Sequence, residues 1–514
     1  MGSKDAEVMK EGIIMKKLMT LALAAAMMLG AATGANAIDF KAKGQWIMSF
    51  DYGMHGNFGE SKAKNNSGFE NEDEFEARQR VRLQLDAVAS EALSGTVFFE
   101  IGDQVWGDND NGGALGADGK FVELKRAYID WMVPQTDLKV RMGIQGIALP
   151  SFTTKASQIM DDDVAAISLN YQFNENVGLT AFWARPYNDN YSSRADRVNY
   201  HDNMDLFALM VPLTFDGVKV TPWAMYGMAG ANANTLTSTA PYARYANGGD
   251  AFAFDPSSTS KAYGSMFWAG LPISLTLWDP LNVELDINYG YVESMGRYEA
   301  ERYDNTFARM GDTKREGWLV KALVEYKMDW GTPGIFGWYA SGDDGNVKNG
   351  SERLPSIAGA GNFTSFMGDG NLAWGTGYNF YDNNLTYAGT WGVGLQIADV
   401  SFVEDLKHTF RVAYWGGTNS PSMAKYVGTS YGWQNFNNDL NFGEKDGPYL
   451  TTNDGLLEFN LVNSYQIYEN LEANLELSYI VNMVDDDTWK RSYRNDSYKK
   501  QDAWKAQLII AYTF

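Results

Sequence analysis

The chain has 514 residues, of which 45% are hydrophobic and 21% charged, and its formal net charge is −22. That acidic excess excludes a nucleic-acid partner, which needs a basic footprint, and works against docking on an anionic membrane surface. With no cysteine and only three histidines, disulfides, thiolate metal sites and cysteine nucleophiles are ruled out, and imidazole chemistry has few places to sit.

Residues 1–37 read as an N-terminal extension followed by a cleaved signal peptide. Lys16-Lys17 precedes an apolar run from Leu18 to Leu29, and small residues lead to Ala35-Asn36-Ala37, an A-x-A cleavage site. Residues 38–514 then form a single domain that starts near Ile38. No later stretch has the length and apolarity of a spanning helix. An exported chain of this kind is soluble in the periplasm, secreted, or a barrel in the outer membrane. Composition favours the barrel: Gly (52), Tyr (29), Phe (27) and Trp (16) are plentiful against 13 Pro, a bias toward strands, tight turns and aromatic belts.

The hydrophobic period supports the same choice. Phe40, Ala42, Gly44, Trp46, Met48, Phe50 and Tyr52 alternate with polar residues such as Lys41, Lys43, Gln45, Ser49 and Asp51. A second segment sets Phe75, Ala77, Val81, Leu83, Leu85 and Ala87 against Glu74, Glu76, Arg78, Arg80, Arg82, Gln84 and Asp86. Alternation over more than about ten residues is long enough to cross a membrane at a tilt. Further strands are predicted near 93–106, 121–133, 138–148, 164–173, 177–185, 204–213, 218–228, 263–277, 282–292, 317–328, 334–341, 387–398, 408–416, 456–467, 471–482 and 503–514. The fold class is therefore all-β, a transmembrane antiparallel barrel of about 18 strands, with 16 as the alternative count. Short turns such as Ser90-Glu91-Ala92 and Asp216-Gly217 alternate with long polar segments such as 229–262 and 342–386, the asymmetry of periplasmic turns and external loops. Pro212, Pro222 and Pro272 are expected at strand ends or bulges.

Arg78, Arg80 and Arg82 project from one face of one strand. On a lipid face near the midplane each costs roughly 2–4 kcal/mol, so the row belongs in the lumen. Glu100, Lys125, Lys139, Arg141 and Arg411 extend this pore lining, and Gln104, Lys321, Glu325, Glu458, Glu472, Asn474, Glu476, Lys505 and Gln507 continue it around the wall. An interior of this kind holds water and selects among solutes by charge; a lumen closed by cross-strand ion pairs is the competing reading. The loop from Leu149 to Asp163, with Lys155, Asp161, Asp162 and Asp163, is a candidate constriction that sets acids against the arginines. An ordinary solvated loop is the alternative.

No catalytic residue, cofactor or metal is expected. Asp108-Asn109-Asp110-Asn111-Gly112-Gly113 opens like a calcium loop but carries Gly119 at its twelfth position. The acidic runs 161–163 and 485–487 read as solvated, with divalent cations bridging lipopolysaccharide as the alternative, and His55, His201 and His408 show no partnered nucleophile.

The last strand alternates Trp504, Ala506, Leu508, Ile510, Tyr512 and Phe514. It resembles the C-terminal signal, here Tyr512 and Phe514, by which the barrel-assembly machinery recognises outer-membrane proteins. The start Ile38-Asp39-Phe40-Lys41-Ala42-Lys43-Gly44-Gln45-Trp46, with length and loop pattern, resembles the homotrimeric outer-membrane porins of sulfate-reducing bacteria. The resemblance implies a trimer in lipid and lipopolysaccharide, each barrel passing ions and small hydrophilic solutes by passive diffusion. The acid excess predicts a mild cation preference, which the arginine row opposes. Pro150-Ser151-Phe152-Thr153 stands where enteric general porins carry Pro-Glu-Phe-Gly. Two rival functions are a substrate-specific channel for sugars or carboxylates, with Phe98 and Trp106 as aromatic candidates, and a structural or adhesive barrel.

Overall fold

The computed structural model describes residues 38–54, 73–109, 112–116, 122–188, 203–230, 258–259, 263–294, 296–301, 307–364, 387–425, 442–443, 447–489 and 500–514. The signal-peptide segment, His55 and His201 lie outside the described residues. Eighteen antiparallel strands form one closed sheet. They are β1 (Asp39–Met54), β2 (Asp73–Ser90), β3 (Leu93–Val105), β4 (Val122–Met132), β5 (Leu138–Ala148) and β6 (Asp161–Gln172). The wall continues through β7 (Gly178–Asn188), β8 (Asn203–Met210 and Leu213–Phe215), β9 (Val218–Val220 and Trp223–Gly230), β10 (Tyr263–Trp278), β11 (Leu281–Val292) and β12 (Arg315–Tyr326). It is completed by β13 (Thr332–Ala340), β14 (Thr390–Val403), β15 (Leu406–Gly417), β16 (Gly455–Tyr468), β17 (Leu471–Asn482) and β18 (Ala503–Thr513). Each strand pairs with the next, and β18 returns to β1.

The count of 18 is reached because β8 and β9 are each one strand interrupted by a proline. Pro212 and Pro222 sit in these breaks, whereas Pro272, expected at an end or bulge, lies inside β10 in continuous register with Asp286, on the side that faces the β9 break. Proline has no N–H to give to a ladder, yet the sheet stays joined across the gap. Gly178 donates to the Pro212 carbonyl at 2.9 Å, Val211 to Pro222 at 3.0 Å and Thr221 to Pro272 at 3.1 Å.

Alternation sorts the side chains as a bilayer requires. On β18, Lys505, Gln507 and Ile509 are buried on the inner face, while Leu508 and Tyr512 are exposed on the outer one. Exposed Tyr226, Phe267, Tyr289, Trp318, Tyr339 and Tyr479 ring the loop end of the outer wall. Phe215, Trp278, Tyr326, Phe402, Tyr465 and Tyr512 ring the turn end. On β12 the eight-residue step from Trp318 to Tyr326 spans roughly 20 Å for a strand tilted about 40°, close to an apolar band of about 25 Å. Among the described residues no helix is long and apolar enough to cross a membrane.

The seam between β1 and β18 ends at the turn side on a reciprocal pair, Gly44 N to Phe514 O at 2.7 Å and Phe514 N to Gly44 O at 3.0 Å. The Phe514 ring lies over Gly44, and Tyr512 stacks beside it at 5.6 Å. A Cβ at Gly44 would stand 2.5 Å from Phe514 Cζ and 2.6 Å from the Arg82 carbonyl oxygen. Gly44→Val is expected to destabilise the closed barrel by about 1–3 kcal/mol through overpacking, read as a lower urea midpoint for folding into lipid vesicles. An unchanged midpoint would refute the close seam.

Candidate functional site: an off-centre lumen

Arg78, Arg80 and Arg82 lie opposite Ser49, Ile47 and Gln45 on β1. Ser49 and Ile47 are buried on the lumen face, so the three arginines share that face. Arg82 Nε donates to Glu100 at 2.6 Å, and Lys125 Nζ lies 3.8 Å from Glu100 and 3.0 Å from Asp163. Arg126 Nε then donates to Asp163 at 2.5 Å. Opposite charges thus alternate from β2 to β6. Strict alternation puts Lys125 and Arg126 on opposite faces, yet both reach Asp163 because the β3–β4 register slips between Phe98 and Phe99. Arg126 was missed for that reason, since a bulge leaves no mark in a period-two reading. Toward the turns, Arg141 makes a two-pronged contact with Asp130 at 2.6 and 2.7 Å, joined by Lys139 at 3.1 Å. The Arg141 guanidinium stands 4.0 Å over the Tyr128 ring.

Arg411 lies elsewhere, on β15, where its Nε donates to Gln396 at 3.3 Å and Gln396 donates to Glu325 at 2.6 Å. Of the two aromatic candidates, Phe98 underlies the Arg126 guanidinium. Trp106 packs edge-on against Phe50 at 5.5 Å and bonds Gln79 on the outer side, away from the lumen. His408 shares a 2.7 Å hydrogen bond with Asn463 near the turn end. Asp485 accepts from Thr488 N at 2.7 Å and so caps the helical turn Asp486–Trp489.

The segment after β5 is shorter than the spacing suggests. It runs from Leu149 to residue 160, and Asp161, Asp162 and Asp163 open β6, paired with Ala148, Ile147 and Gly146. These aspartates are therefore wall residues rather than loop-tip residues. The loop crosses to β11 and β12, six strands round the barrel. Asp286 accepts from Ser151 Oγ (2.7 Å), Phe152 N (3.0 Å), Thr153 N (3.1 Å) and Thr153 Oγ1. Lys321 Nζ donates to Ser151 at 3.1 Å and Thr154 at 2.6 Å, and lies 3.5 Å from Asp286. Lys155 stands exposed at the tip with a left-handed φ of 59° and lies within electrostatic reach of Glu284.

A second inward loop, after β13, runs beside the first. Ile357 N and Ala358 N both donate to the Ile159 carbonyl, at 2.8 and 3.0 Å, and Ala360 N donates to Ser157 at 2.7 Å. Gln158 ties the Ala360 and Gly361 carbonyls and accepts from Tyr387 N. Behind the loops, Met204, Leu206, Met225, Met266, Trp268, Leu319 and Trp415 on the inner wall are buried in one core with Ile159, Leu354, Ile357 and Phe363. Trp338 lies 4.4 Å from Trp415 and 4.6 Å from Tyr387 between ring centroids. A barrel of this size is roughly 35 Å across between backbones, more than side chains alone fill.

The filling changes the sequence-based picture of a uniformly wet wall. Lys321, Glu458, Glu476, Lys505 and Gln507 are no more than 2% exposed, whereas Arg82, Lys125, Arg141 and Lys139 keep 22%, 24%, 29% and 43% of their side-chain surface. Those four inner-wall cations, which keep solvent contact, lie on β2–β5, although Arg80, Gln145 and Ser168 on the same side of the barrel are buried.

The loop cap carries one group near neutrality. Burial, with Asp343 and Asp344 close by, pushes the Glu352 carboxyl up to about 7, and burial raises Asp343 too. The folded loop then holds a proton that the open loop releases near pH 4.5, so loop stability falls as pH rises from about 4.5 to 7. Amide-exchange protection over residues 341–353, corrected for intrinsic rates, is expected to be greater at pH 5 than at pH 8. Glu352→Gln should reduce that difference; an undiminished one would remove Glu352 as its source.

No family model matches the chain, and no curated protein matches it. Among solved structures it is similar to Pseudomonas aeruginosa OccK11 (OpdR), at 11% identity and a TM-score of 0.46, over 92% of this chain and 96% of that one. A BenF-like porin from Pseudomonas fluorescens Pf-5 matches at 12% and 0.46 over 92% and 98%. Pseudomonas aeruginosa OccK2 (OpdF) in complex with glucuronate matches at 11% and 0.45, again over 92% and 98%. At these identities and scores the likeness is one of barrel outline, and the solutes of those channels do not carry over.

Proposed function

We propose that the protein is an outer-membrane porin, a water-filled channel through which ions and small hydrophilic solutes diffuse passively. The observation that carries this reading is the pairing of an apolar, aromatic-girdled outer wall with a row of charges, most of them partly exposed, on the inner faces of β2–β5. An outer wall of this kind suits a bilayer, and ionised side chains inside it keep their charge only beside water or partners. Export by the signal peptide, assembly through the strand ending Tyr512 and Phe514, contact with lipopolysaccharide and a homotrimeric state belong to the same proposal, on the resemblance of the sequence.

A substrate-selective channel is the second reading. It is favoured by the inward loops, which confine the solvated path to one charged wall. In planar bilayers the purified protein should open in ohmic conductance steps, and folded protein that never conducts would sink the channel. Saturable block by a sugar or carboxylate would select the second reading. Replacing Arg78, Arg80 and Arg82 together by Gln is expected to move the reversal potential in a KCl gradient toward cation selectivity. An unmoved potential would take the row out of the conduction path.

A further inference from the structure

We infer that the turns at one end of the barrel carry an acidic collar that concentrates cations at that mouth and makes the channel rectify. The inference rests on the channel reading. Each of the eight short turns among the described residues holds a carboxylate. Glu91, Glu175, Glu404 and Glu469 lie in four of them. Asp137, Asp216, Asp279 and Asp329 lie in the other four, and Asp405 stands beside Glu404. All nine are exposed, and the one base in these turns is Lys327.

Turn chemistry does not account for these charges. The side chains that hold the turns are their neighbours, short polar residues of the kind that bond nearby backbone. Ser90 Oγ accepts from Ala92 N at 3.2 Å, Thr136 Oγ1 from Leu138 N at 3.2 Å and Asn174 Oδ1 from Asn176 N at 2.9 Å. Among the described residues none of the nine carboxylates is hydrogen-bonded or ion-paired. Nor do the lysines at nearby strand ends cancel them, since Lys41 is paired with Asp39, Lys43 with Asp86 and Lys407 with Asp399, each at 3.8 Å. What the nine charges share is a circle. On a rim of roughly 110 Å they stand about 12 Å apart. That spacing is close to the screening length of about 10 Å at 0.1 M salt and far beyond the length of about 3 Å at 1 M. Their fields therefore merge into one ring in dilute salt and separate in concentrated salt. Along the lumen the ring lies in series with Arg78, Arg80 and Arg82, a cation-rich mouth before an anion-rich wall. Two such zones pass more current when cations are driven from the acidic one toward the basic one.

Single-channel current–voltage curves test the collar. In about 0.1 M KCl the wild-type current at about 100 mV is expected to differ about 1.5-fold between the two polarities, and in about 1 M KCl by less than about 1.1-fold. The test variant combines Glu91→Gln, Glu175→Gln, Glu404→Gln and Glu469→Gln with Asp137→Asn, Asp216→Asn, Asp329→Asn and Asp405→Asn; Asp279, which precedes Pro280, is kept. Its folding is checked by heat-modifiable migration in electrophoresis. It should lose the dilute-salt difference and move the reversal potential in a dilute KCl gradient toward anions. Rectification that persists in the folded variant, or that is undiminished at the higher salt, would place its source in the lumen and overturn the collar while the channel stands. A symmetric wild-type curve in dilute salt would do the same. Wild-type protein without conductance steps would overturn the channel and the collar with it.

Discussion

Everything in this molecule depends on closing the ladder between β1 and β18. In hydrocarbon an unpaired backbone N–H or C=O costs several kcal/mol, so eighteen strands with one open edge would be no membrane structure at all. From Gln45–Thr513 to residues 54 and 504 the two strands run in unbroken register, and Gly44–Phe514 adds the last rung. Once the ring is closed, each strand's two faces have fixed and opposite surroundings. Both the aromatic girdles outside and the charges inside follow from that division.

Closure at this size creates the second constraint. Eight strands make a barrel whose side chains fill it, and eighteen do not. The chain meets the surplus space unevenly. Apolar inner faces on β7–β16 carry a core built with inward loops, which stacks Phe336, Phe363, Trp338 and Tyr387 much as a soluble domain would. Buried charges in the cap are held by dense hydrogen bonding: Asp343 accepts from Ser351 and Tyr449, each at 2.6 Å, and Arg353 donates to Ala388 at 2.9 Å. On β2–β6 the inner face stays polar, with Arg82, Lys125, Arg141 and Lys139 partly exposed and Arg80, Thr96, Gln145 and Ser168 buried.

How much of this was legible in the sequence follows from the range of the interactions. Strands were legible because alternation is local, and the predicted segments fall on the observed ones. The arginine row was legible because burying cations in lipid is costly enough to leave one side available. Lys125 beside Arg126 was not, since a bulge is a property of two strands together. The placement of Asp161–Asp163 on a loop failed for a related reason: pairing with Ala148, Ile147 and Gly146 starts β6 at Asp161, three residues before its polarity suggests. Asp286 and Lys321 read as ordinary lumen residues. Their role depends on a loop more than 130 residues away in sequence, a separation that no periodicity encodes.

The off-centre path divides the constraints on the chain. A substitution on the inner face of β7–β16 meets packed side chains, while one at Arg82, Lys125, Arg141 or Lys139 meets solvent. The two parts are joined by the hydrogen-bonded hoop, by the loop that crosses between them and by Ile147, Val164 and Ala166, which carry the core onto β5 and β6. Charge along the solvated wall can therefore drift, sequence by sequence, without loosening the core. In the channel proposed, the charges that would meet a solute and the side chains that hold the barrel up are largely different residues.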